Sequence, residues 1–91
     1  MGEAGSTSPF ILYVRPACGL CVEAEAALRR AAARARPPAP IEVVDVTAEG
    51  GLERRYGSRV PVLARAGRDL CWGRFDRRVV DALVAEAAAR P

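Results

Sequence analysis

The chain has 91 residues, a formal net charge of +3, and 51% hydrophobic residues. This length fits one domain with a small core, so an active site must lie near the surface, at the end of a strand or helix. All of its 14 positively charged residues are arginine, and no aromatic residues interleave with the arginine pairs. We therefore expect solvated helix faces and no nucleic-acid interface.

The first residues and the cysteine content bear on the location of the protein. Residues 1–8 are small and polar, and we expect them to form a flexible lead-in to a single domain at 9–91. This start has no basic region, and the apolar run FILYV is too short for a signal-peptide core or a membrane span. Three cysteines do not make a secreted disulfide scaffold. The sequence predicts a cytoplasmic protein without a membrane segment, where a close cysteine pair is catalytic or metal-binding.

The first half of the chain predicts a strand, a long helix and a second strand. FILYV at 10–14 is a continuous β-prone run, which indicates a buried strand. An Ala/Leu/Arg-rich stretch from Gly19 to about Arg36 has helical spacing, and the prolines of RPPAP end it. IEVVDV at 41–46 indicates a second buried strand. Such a βαβ unit is parallel and right-handed in nearly all proteins.

The second half predicts a short helix followed by a hairpin. Residues 47–57 allow only a short helix, which the glycine at its end closes. Two β-prone runs within 60–73 flank Gly67-Arg68, a pair that suits a two-residue type II′ turn.

A final helix completes the predicted order β-α-β-α-β-β-α. Asp76 is a good N-cap for this helix, which we expect to continue through Arg90. Its apolar positions recur at helical spacing and form the expected buried stripe. The chain is therefore predicted to have an α/β fold without internal repeats.

The stretch RPACGLC places two cysteines at the start of the long predicted helix. Unpaired amide groups and the positive end of the helix dipole favour a thiolate at Cys18. Arg15 adds a permanent positive charge within reach of it. Thiolates are the nucleophiles of disulfide exchange, and Cys21, about one turn on, can attack a mixed disulfide formed by Cys18. The position of the pair at a helix start, rather than its spacing alone, therefore indicates a redox pair.

Metal binding is the competing interpretation of this pair. A closed zinc site takes four Cys or His ligands, and only Cys71 could join the pair in a chain without histidine. An iron–sulfur cluster shared between two chains needs only one or two thiolates from each. We expect no metal, and keep as the alternative a non-enzymatic module that binds a shared iron–sulfur cluster or a partner protein.

Val60-Pro61 stands where a strand starts after a loop. A cis peptide bond is tolerated at such a position, and a trans proline as the first residue of a strand is the alternative. Because the pair follows a βαβ unit with Cys-x-x-Cys at its helix start, we favour the cis form. It would leave the backbone groups of Val60 free to pair with an extended substrate beside Cys18.

The motifs CGLC, RVPV and GRFD, in this order and approximate spacing, resemble those of a glutaredoxin-like member of the thioredoxin-fold superfamily. The resemblance extends from about Phe10 to Ala89. It implies a thioredoxin-like fold in which three helices flank a four-stranded mixed sheet of order 2-1-3-4. It also implies Cys18 as the nucleophile, Cys21 as the resolving thiol and Pro61 as the cis-proline.

The same resemblance implies a glutathione site. Glutaredoxins use a basic residue before the motif, the residue before the cis-proline, and a Gly-x-x-Asp at the last helix. The matching positions here are Arg15, Val60, Gly73 and Asp76. Glutaredoxins often have glycine where this chain has Trp72, whose indole would crowd the γ-glutamyl end of glutathione.

Five further residues near the predicted site receive structural interpretations. Trp72 on its short strand is expected to pack, and Cys71 to act as a small hydrophobe. Arg59 and Arg74 flank the site and are interpreted as solvated, although they could attract an anionic partner. Asp45 is expected to end in solvent at a strand edge and is assigned no role.

The function predicted from these observations is a small monomeric dithiol–disulfide oxidoreductase that acts on a disulfide-containing protein. No bound cofactor is expected. Either glutathione, as a co-substrate, or a thioredoxin-type reductase would supply the electrons.

Overall fold

The computed structural model describes residues 8–89, so the predicted lead-in lies outside the described residues except for Ser8. The predicted end of the last helix at Arg90 lies outside them as well. In chain order the elements are β1 (Phe10–Val14), α1 (Gly19–Arg34), β2 (Ile41–Asp45), a 3₁₀ helix (Val46–Ala48), α2 (Gly50–Tyr56), β3 (Val62–Arg65), β4 (Arg68–Trp72) and α3 (Arg77–Ala89). Across residues 8–89, none of the helices is both long and apolar enough to cross a membrane.

The four strands form one mixed sheet in the order β2-β1-β3-β4. β1 is parallel to β2 and antiparallel to β3, and β3 and β4 form an antiparallel hairpin. This confirms the α/β fold with strand order 2-1-3-4. Tyr13 near the end of β1 pairs with Val62 at the start of β3. The segments that follow β1 and precede β3 therefore meet at the same end of these two central strands.

The core lies on both faces of the sheet because successive side chains of a strand point to opposite faces. On one face, α1 and α3 pack over a larger cluster built around Phe10, Leu12, Leu28, Leu63 and Val80. On the other, α2 and the 3₁₀ helix cover a smaller cluster of Val46, Tyr56 and Val62, against which Tyr13 packs. The end of the sheet where β1 finishes and β3 begins therefore lies between two packed layers of helices.

The prediction that β2 is a buried strand was wrong. β2 is the outer strand of the sheet, and Glu42 and Val43 on it are exposed. Only Ile41 and Val44 are partly buried. A continuous apolar run does not tell a central strand from an edge strand, because the difference depends on which neighbours the topology supplies.

The long helix ends two residues before the predicted end. Ala35 already has extended backbone angles, φ −67° and ψ 153°, and its N–H bonds to the carbonyl of Ala32. The residue before a proline is driven from the helical region, so Arg36 could not continue the helix. The Arg36–Pro37 peptide bond is cis, which the sequence analysis did not predict.

The hairpin turn differs from the predicted one by one residue. Arg65 pairs with Arg68, so the two loop residues are Ala66 and Gly67 rather than Gly67 and Arg68. Both have positive φ, 52° and 80°, which is the signature of a type I′ turn and not of type II′. The twist of a type I′ turn matches the twist of the flanking strands, and here that preference places an alanine in the left-handed region.

Candidate functional site

The cysteine pair lies at the start of α1, directly beyond the carboxyl end of β1. Ala17 adopts φ 56°, a left-handed conformation that turns the chain into the helix. Cys18 is the N-cap of α1, and its sulfur accepts a hydrogen bond from the Cys21 backbone N–H at 3.2 Å. The two cysteines are joined in a disulfide, with their Cα atoms 5.2 Å apart. The structure therefore has the pair in its oxidised form.

The two sulfurs differ in their access to solvent. Cys18 is partly exposed, whereas Cys21 is only 4% exposed. Apart from its chain neighbours and the nearby backbone of α1, no atom lies within 4 Å of where a Cβ of the intervening Gly19 would be, so one approach to the pair is open. The first turn of α1 contains no acidic residue that would offset the positive end of the helix. The outer sulfur is thus the one that an external disulfide can reach.

Pro61 directly precedes β3, at the same end of the two central strands as the cysteine pair. The Val60–Pro61 peptide bond is cis, as favoured from the sequence, and Pro61 is fully buried. The N–H of Gly73 donates to the carbonyl of Pro61 at 2.9 Å and to that of Arg59 at 3.2 Å. Gly73 has φ 78°, a conformation that favours glycine. The segment 59–61 is therefore held against the loop that follows β4.

Val60, just before β3, has backbone groups that are not used within the sheet. Among residues 8–89, neither its N–H nor its carbonyl has a backbone hydrogen-bond partner, and the residue is partly exposed. The pairing of β3 with β1 starts only at Val62. An extended chain laid along Val60 would find one free donor and one free acceptor.

Arg15 has a partner that the sequence analysis missed. Its Nη2 forms a hydrogen-bonded ion pair with Oε2 of Glu53 on α2, at 2.5 Å. Gly57 makes room for this pair, because a Cβ there would lie 2.8 Å from Arg15 Nη2 and 2.5 Å from the Glu53 carbonyl oxygen. The contact joins residues 38 positions apart, so no local pattern indicated it.

Asp76 caps the last helix, as predicted. Its Oδ1 accepts a hydrogen bond from the backbone N–H of Val79 at 3.1 Å. Asp45 is exposed at the end of β2, as expected, and in addition caps the 3₁₀ helix. Its carboxylate accepts hydrogen bonds from the Thr47 hydroxyl at 2.7 Å and the Thr47 N–H at 2.9 Å, which lower the pKa of Asp45. The Asx pattern Asp-Val-Thr was the signal for this local cap.

The expectation that Trp72 packs was wrong. β4 is an outer strand, and the indole is 51% exposed. The guanidinium carbon of Arg59 lies over it, 4.9 Å from the ring centroid, and is 5.6 Å from the centroid of Tyr56. Arg59 is therefore not a simply solvated arginine, whereas Arg74 is exposed as expected.

Tyr56 connects this region to the core. Its ring stacks on that of Tyr13 with centroids 4.2 Å apart, and its hydroxyl donates to Oδ1 of Asp69 at 3.1 Å. Burial, and then the hydrogen bond to Asp69, raise the pKa of Tyr56. No local sequence pattern indicates these contacts, because they depend on how α2 lies on the sheet.

Comparison with known proteins identifies the family of this chain. A family profile described as a glutaredoxin-like domain (DUF836) matches residues 10–85. The chain belongs to this glutaredoxin-like family. No curated protein matches it. The resemblance inferred from its motifs is confirmed.

Solved structures share the fold of this glutaredoxin-like domain. It is similar to the protein XcR50 from X. campestris, with 34% identity, coverage of 90% of this chain and 99% of that one, and a TM-score of 0.69. It is also similar to Ne2328 from Nitrosomonas europaea, with 30% identity, coverage of 85% and 91%, and a TM-score of 0.68. A mutant thioredoxin from Halobacterium salinarum has a TM-score of 0.67 at 22% identity, covering 90% and 75%, and shows the common fold alone.

Cys71 is structural in the glutaredoxin-like domain, as expected. It lies on β4 and packs against the larger core cluster. Burial raises the pKa of its thiol to about 11, so the thiol is protonated at neutral pH. Within residues 8–89, there is no cluster of three or more histidine, cysteine or acidic side chains able to hold a metal ion.

The glutaredoxin-like domain also has an apolar pocket far from the cysteines. Its volume is about 340 Å³, and it is lined by residues that include Phe10, Ala35, Pro38 and Val84. Phe10 starts β1, whereas the cysteines follow the other end of that strand. The pocket therefore contributes nothing to the chemistry of the disulfide.

Proposed function

We propose that the glutaredoxin-like domain is a dithiol–disulfide oxidoreductase that uses Cys18 as its nucleophile and Cys21 as its resolving thiol. One observation carries this proposal. The Cys18–Cys21 disulfide places a partly exposed sulfur at the N-cap of a helix and a buried sulfur one turn behind it. A structural disulfide would not need this difference in access.

The reaction is a two-electron exchange between thiols and disulfides. The Cys18 thiolate attacks one sulfur of the client disulfide, forming a mixed disulfide and releasing one client thiolate, which takes a proton from solvent. Cys21 loses its proton to solvent and attacks the Cys18 sulfur. This step forms the Cys18–Cys21 bond and releases the second client thiolate. The client disulfide is reduced and the domain is oxidised.

The helix end supports the ionised state of Cys18. In the structure its sulfur already accepts the Cys21 N–H, and a thiolate accepts such a bond more strongly than a thiol does. A negative charge at a helix N-terminus is stabilised by about 0.3–1 kcal/mol at exposed sites, and by up to about 2 kcal/mol when partly buried. This stabilisation makes Cys18 the better nucleophile of the pair at neutral pH.

We propose that an extended segment of the client pairs with the open backbone of Val60. Pro61 and Gly73 hold that backbone in place through the hydrogen bond between them. Backbone pairing supplies affinity without demanding one client sequence. The proposed client is therefore a disulfide-containing protein. We propose that the domain acts on it in the cytoplasm, as a monomer and without a bound cofactor.

The electron donor is proposed to be glutathione or a thioredoxin-type reductase. The four candidate glutathione contacts are Arg15, Val60, Gly73 and Asp76. In the structure Arg15 is paired with Glu53, and the Asp76 carboxylate caps α3. To bind glutathione, Arg15 would have to contact it while paired with Glu53, and Asp76 while accepting the Val79 N–H. Turnover coupled to glutathione, set against turnover coupled to thioredoxin reductase, distinguishes the two donors.

The proposed chemistry is tested by replacing each cysteine separately. With a disulfide-linked peptide dimer as the substrate, Cys18→Ser should abolish reduction, because no nucleophile remains. Cys21→Ser should accumulate a mixed disulfide with the peptide, visible by mass spectrometry. The matched control is Cys71→Ser, which should retain wild-type rates because the Cys71 thiol is protonated and packed against the core.

Two results would contradict the proposal. One is a Cys18→Ser variant that is folded by circular dichroism and reduces the peptide at the wild-type rate. The other is a brown protein with visible absorption after anaerobic purification and no reductase activity, which would indicate the shared iron–sulfur cluster instead.

A further inference from the structure

We propose that Arg59 and Trp72 form an anion-selective contact that directs the domain to client disulfides flanked by an acidic, extended segment. We name this contact the Arg59–Trp72 pair. The inference rests on the proposed function, since the segment belongs to the client whose disulfide Cys18 attacks.

The Arg59–Trp72 pair lies beside the open backbone of the site. Arg59 directly precedes Val60, and its carbonyl is held by the N–H of Gly73 at 3.2 Å. Trp72 directly precedes Gly73 in sequence. The two side chains therefore start from positions on either side of the hydrogen bond that fixes the loop. In an extended segment the chain rises about 3.3 Å per residue and side chains alternate between two faces, so alternate side chains of a segment paired with Val60 can face the Arg59–Trp72 pair.

Aromatic rings hold the Arg59 guanidinium in position. Its carbon lies 4.9 Å from the centroid of the Trp72 ring and 5.6 Å from that of Tyr56. Its Nη2 also reaches the carbonyl of Arg55, at 3.4 Å. A guanidinium held by rings and backbone loses little freedom when it binds a second group, so it is preorganised for a ligand.

The charge of Arg59 is only partly balanced. Its Nη2 is 3.8 Å from Oδ2 of Asp69, a separation too long for a hydrogen bond. The other oxygen of Asp69 accepts the Tyr56 hydroxyl at 3.1 Å. The Arg59 side chain is 34% exposed, which leaves N–H donors open to an incoming group.

These properties select for a carboxylate and against a cation. A guanidinium binds a carboxylate through parallel hydrogen bonds, and the half-exposed Trp72 ring can receive the apolar stem of the same side chain. Exposed arginines at 55 and 74 add charge of the same sign close in sequence. A client segment with Glu or Asp near its cysteine is therefore favoured, and one with Lys or Arg is repelled.

The test uses disulfide-linked dimers of short peptides that differ only at one position next to the cysteine, which is Glu, Gln or Arg. The pre-reduced domain is mixed with each peptide, and the second-order rate constant of reduction is measured. At an ionic strength of about 0.05 M we expect the Glu peptide to react about tenfold faster than the Arg peptide, with the Gln peptide between them. At about 0.5 M the ratio should fall to about threefold or less.

Arg59→Gln should remove this preference, lowering the rate constant with the Glu peptide until it is within about twofold of that with the Gln peptide in the same variant. Arg59→Lys should retain part of the preference, because the charge remains without the planar stack. The matched control is Arg30→Gln, an exposed arginine about 18 Å along α1 from Cys18, which should keep the full wild-type ratio.

Three outcomes overturn the inference. Equal rates for the three peptides with the wild-type domain would refute charge selection while leaving the proposed reductase function intact. A preference that persists in Arg59→Gln would assign it to other residues. If Arg59→Gln slows the reduction of glutathione disulfide as much as that of the Glu peptide, the contact recognises a small anionic disulfide and not an extended segment. Failure to reduce any peptide would overturn the proposed function itself.

Discussion

Cys18 and Cys21 are three residues apart but occupy different environments. The N-cap position leaves the first sulfur partly exposed, and the helical turn carries the second into the core, where it is 4% exposed. The separation of the pair by about one helical turn follows from helix geometry and could be predicted from the sequence, whereas the burial of Cys21 depends on how α1 packs on the sheet. Glu53, the partner of Arg15, could not be predicted, because the two residues meet only after α2 has docked on the sheet.

Gly57 illustrates how one residue can be correctly noticed for the wrong reason. A glycine after a helix often adopts a left-handed conformation, which made Gly57 the expected stop signal for the short helix. In the structure Gly57 has φ −52° and ψ −38°, ordinary right-handed values. Glycine is needed here because the Arg15–Glu53 ion pair lies directly against it.

Gly57→Ala should therefore lower the free energy of unfolding. The new methyl group would lie 2.5 Å from the Glu53 carbonyl oxygen, which is backbone and cannot move aside cheaply. Such overpacking costs about 1–3 kcal/mol, measurable by urea denaturation.

The matched control for this prediction is Gly51→Ala on the same helix. Its nearest atom would be Glu49 Oε1 at 3.6 Å, an ordinary contact, so the substitution should stabilise the domain by up to about 1 kcal/mol. Equal effects of the two substitutions would contradict the steric explanation.

At the scale of elements, helices were predicted better than turns and strand exposure. The start of α1 and the cap of α3 follow from residues within one turn of each other. The hairpin turn was displaced by one residue because Gly67 can occupy either central position of a two-residue loop. The exposure of β2 depended on its place at the sheet edge, which its own apolar run did not reveal.

The cap of α3 allows its structural role to be separated from a role in glutathione binding. Asp76→Ala should lower the free energy of unfolding by about 1 kcal/mol, because the Val79 N–H loses its acceptor. Asp76→Asn should keep the stability, since asparagine caps equally well. Thermal denaturation of both variants checks this expectation.

Asp76→Asn also tests the role implied by the family. If the carboxylate binds glutathione, this variant should show reduced glutathione-coupled turnover at unchanged stability. Unchanged turnover in Asp76→Asn would leave the residue as a helix cap only.

At the scale of the molecule, the site depends on the helices packed on both faces of the sheet, which fix the end of the central strands where the cysteines lie. Leu28 of α1 is fully buried within the larger cluster, beneath the helix that carries the cysteines. The same helix exposes 68% of Val22. The stability of a domain of this size is roughly 5–15 kcal/mol, so a single core truncation removes a large share of it.

Leu28→Ala should lower the free energy of unfolding by about 2–5 kcal/mol, through lost burial and the cavity left behind. Val22→Ala should change it by less than about 0.5 kcal/mol. Urea denaturation of the reduced proteins measures both. A Val22→Ala effect as large as that of Leu28→Ala would mean that α1 is buried on a face that the structure shows as open.

What the sequence by itself determined was local. The cysteine pair, the helix that carries it and the cap at Asp76 depend on residues within a few positions of each other, where backbone geometry leaves few alternatives. The cis form of Val60-Pro61 was favoured for a different reason, the order of motifs along the chain. Only the tertiary structure decided that Arg15 pairs with Glu53, that β2 lies at an edge, and that Trp72 is exposed beneath Arg59. The physical reason is that these contacts form between elements, and their partners are chosen by how the layers pack.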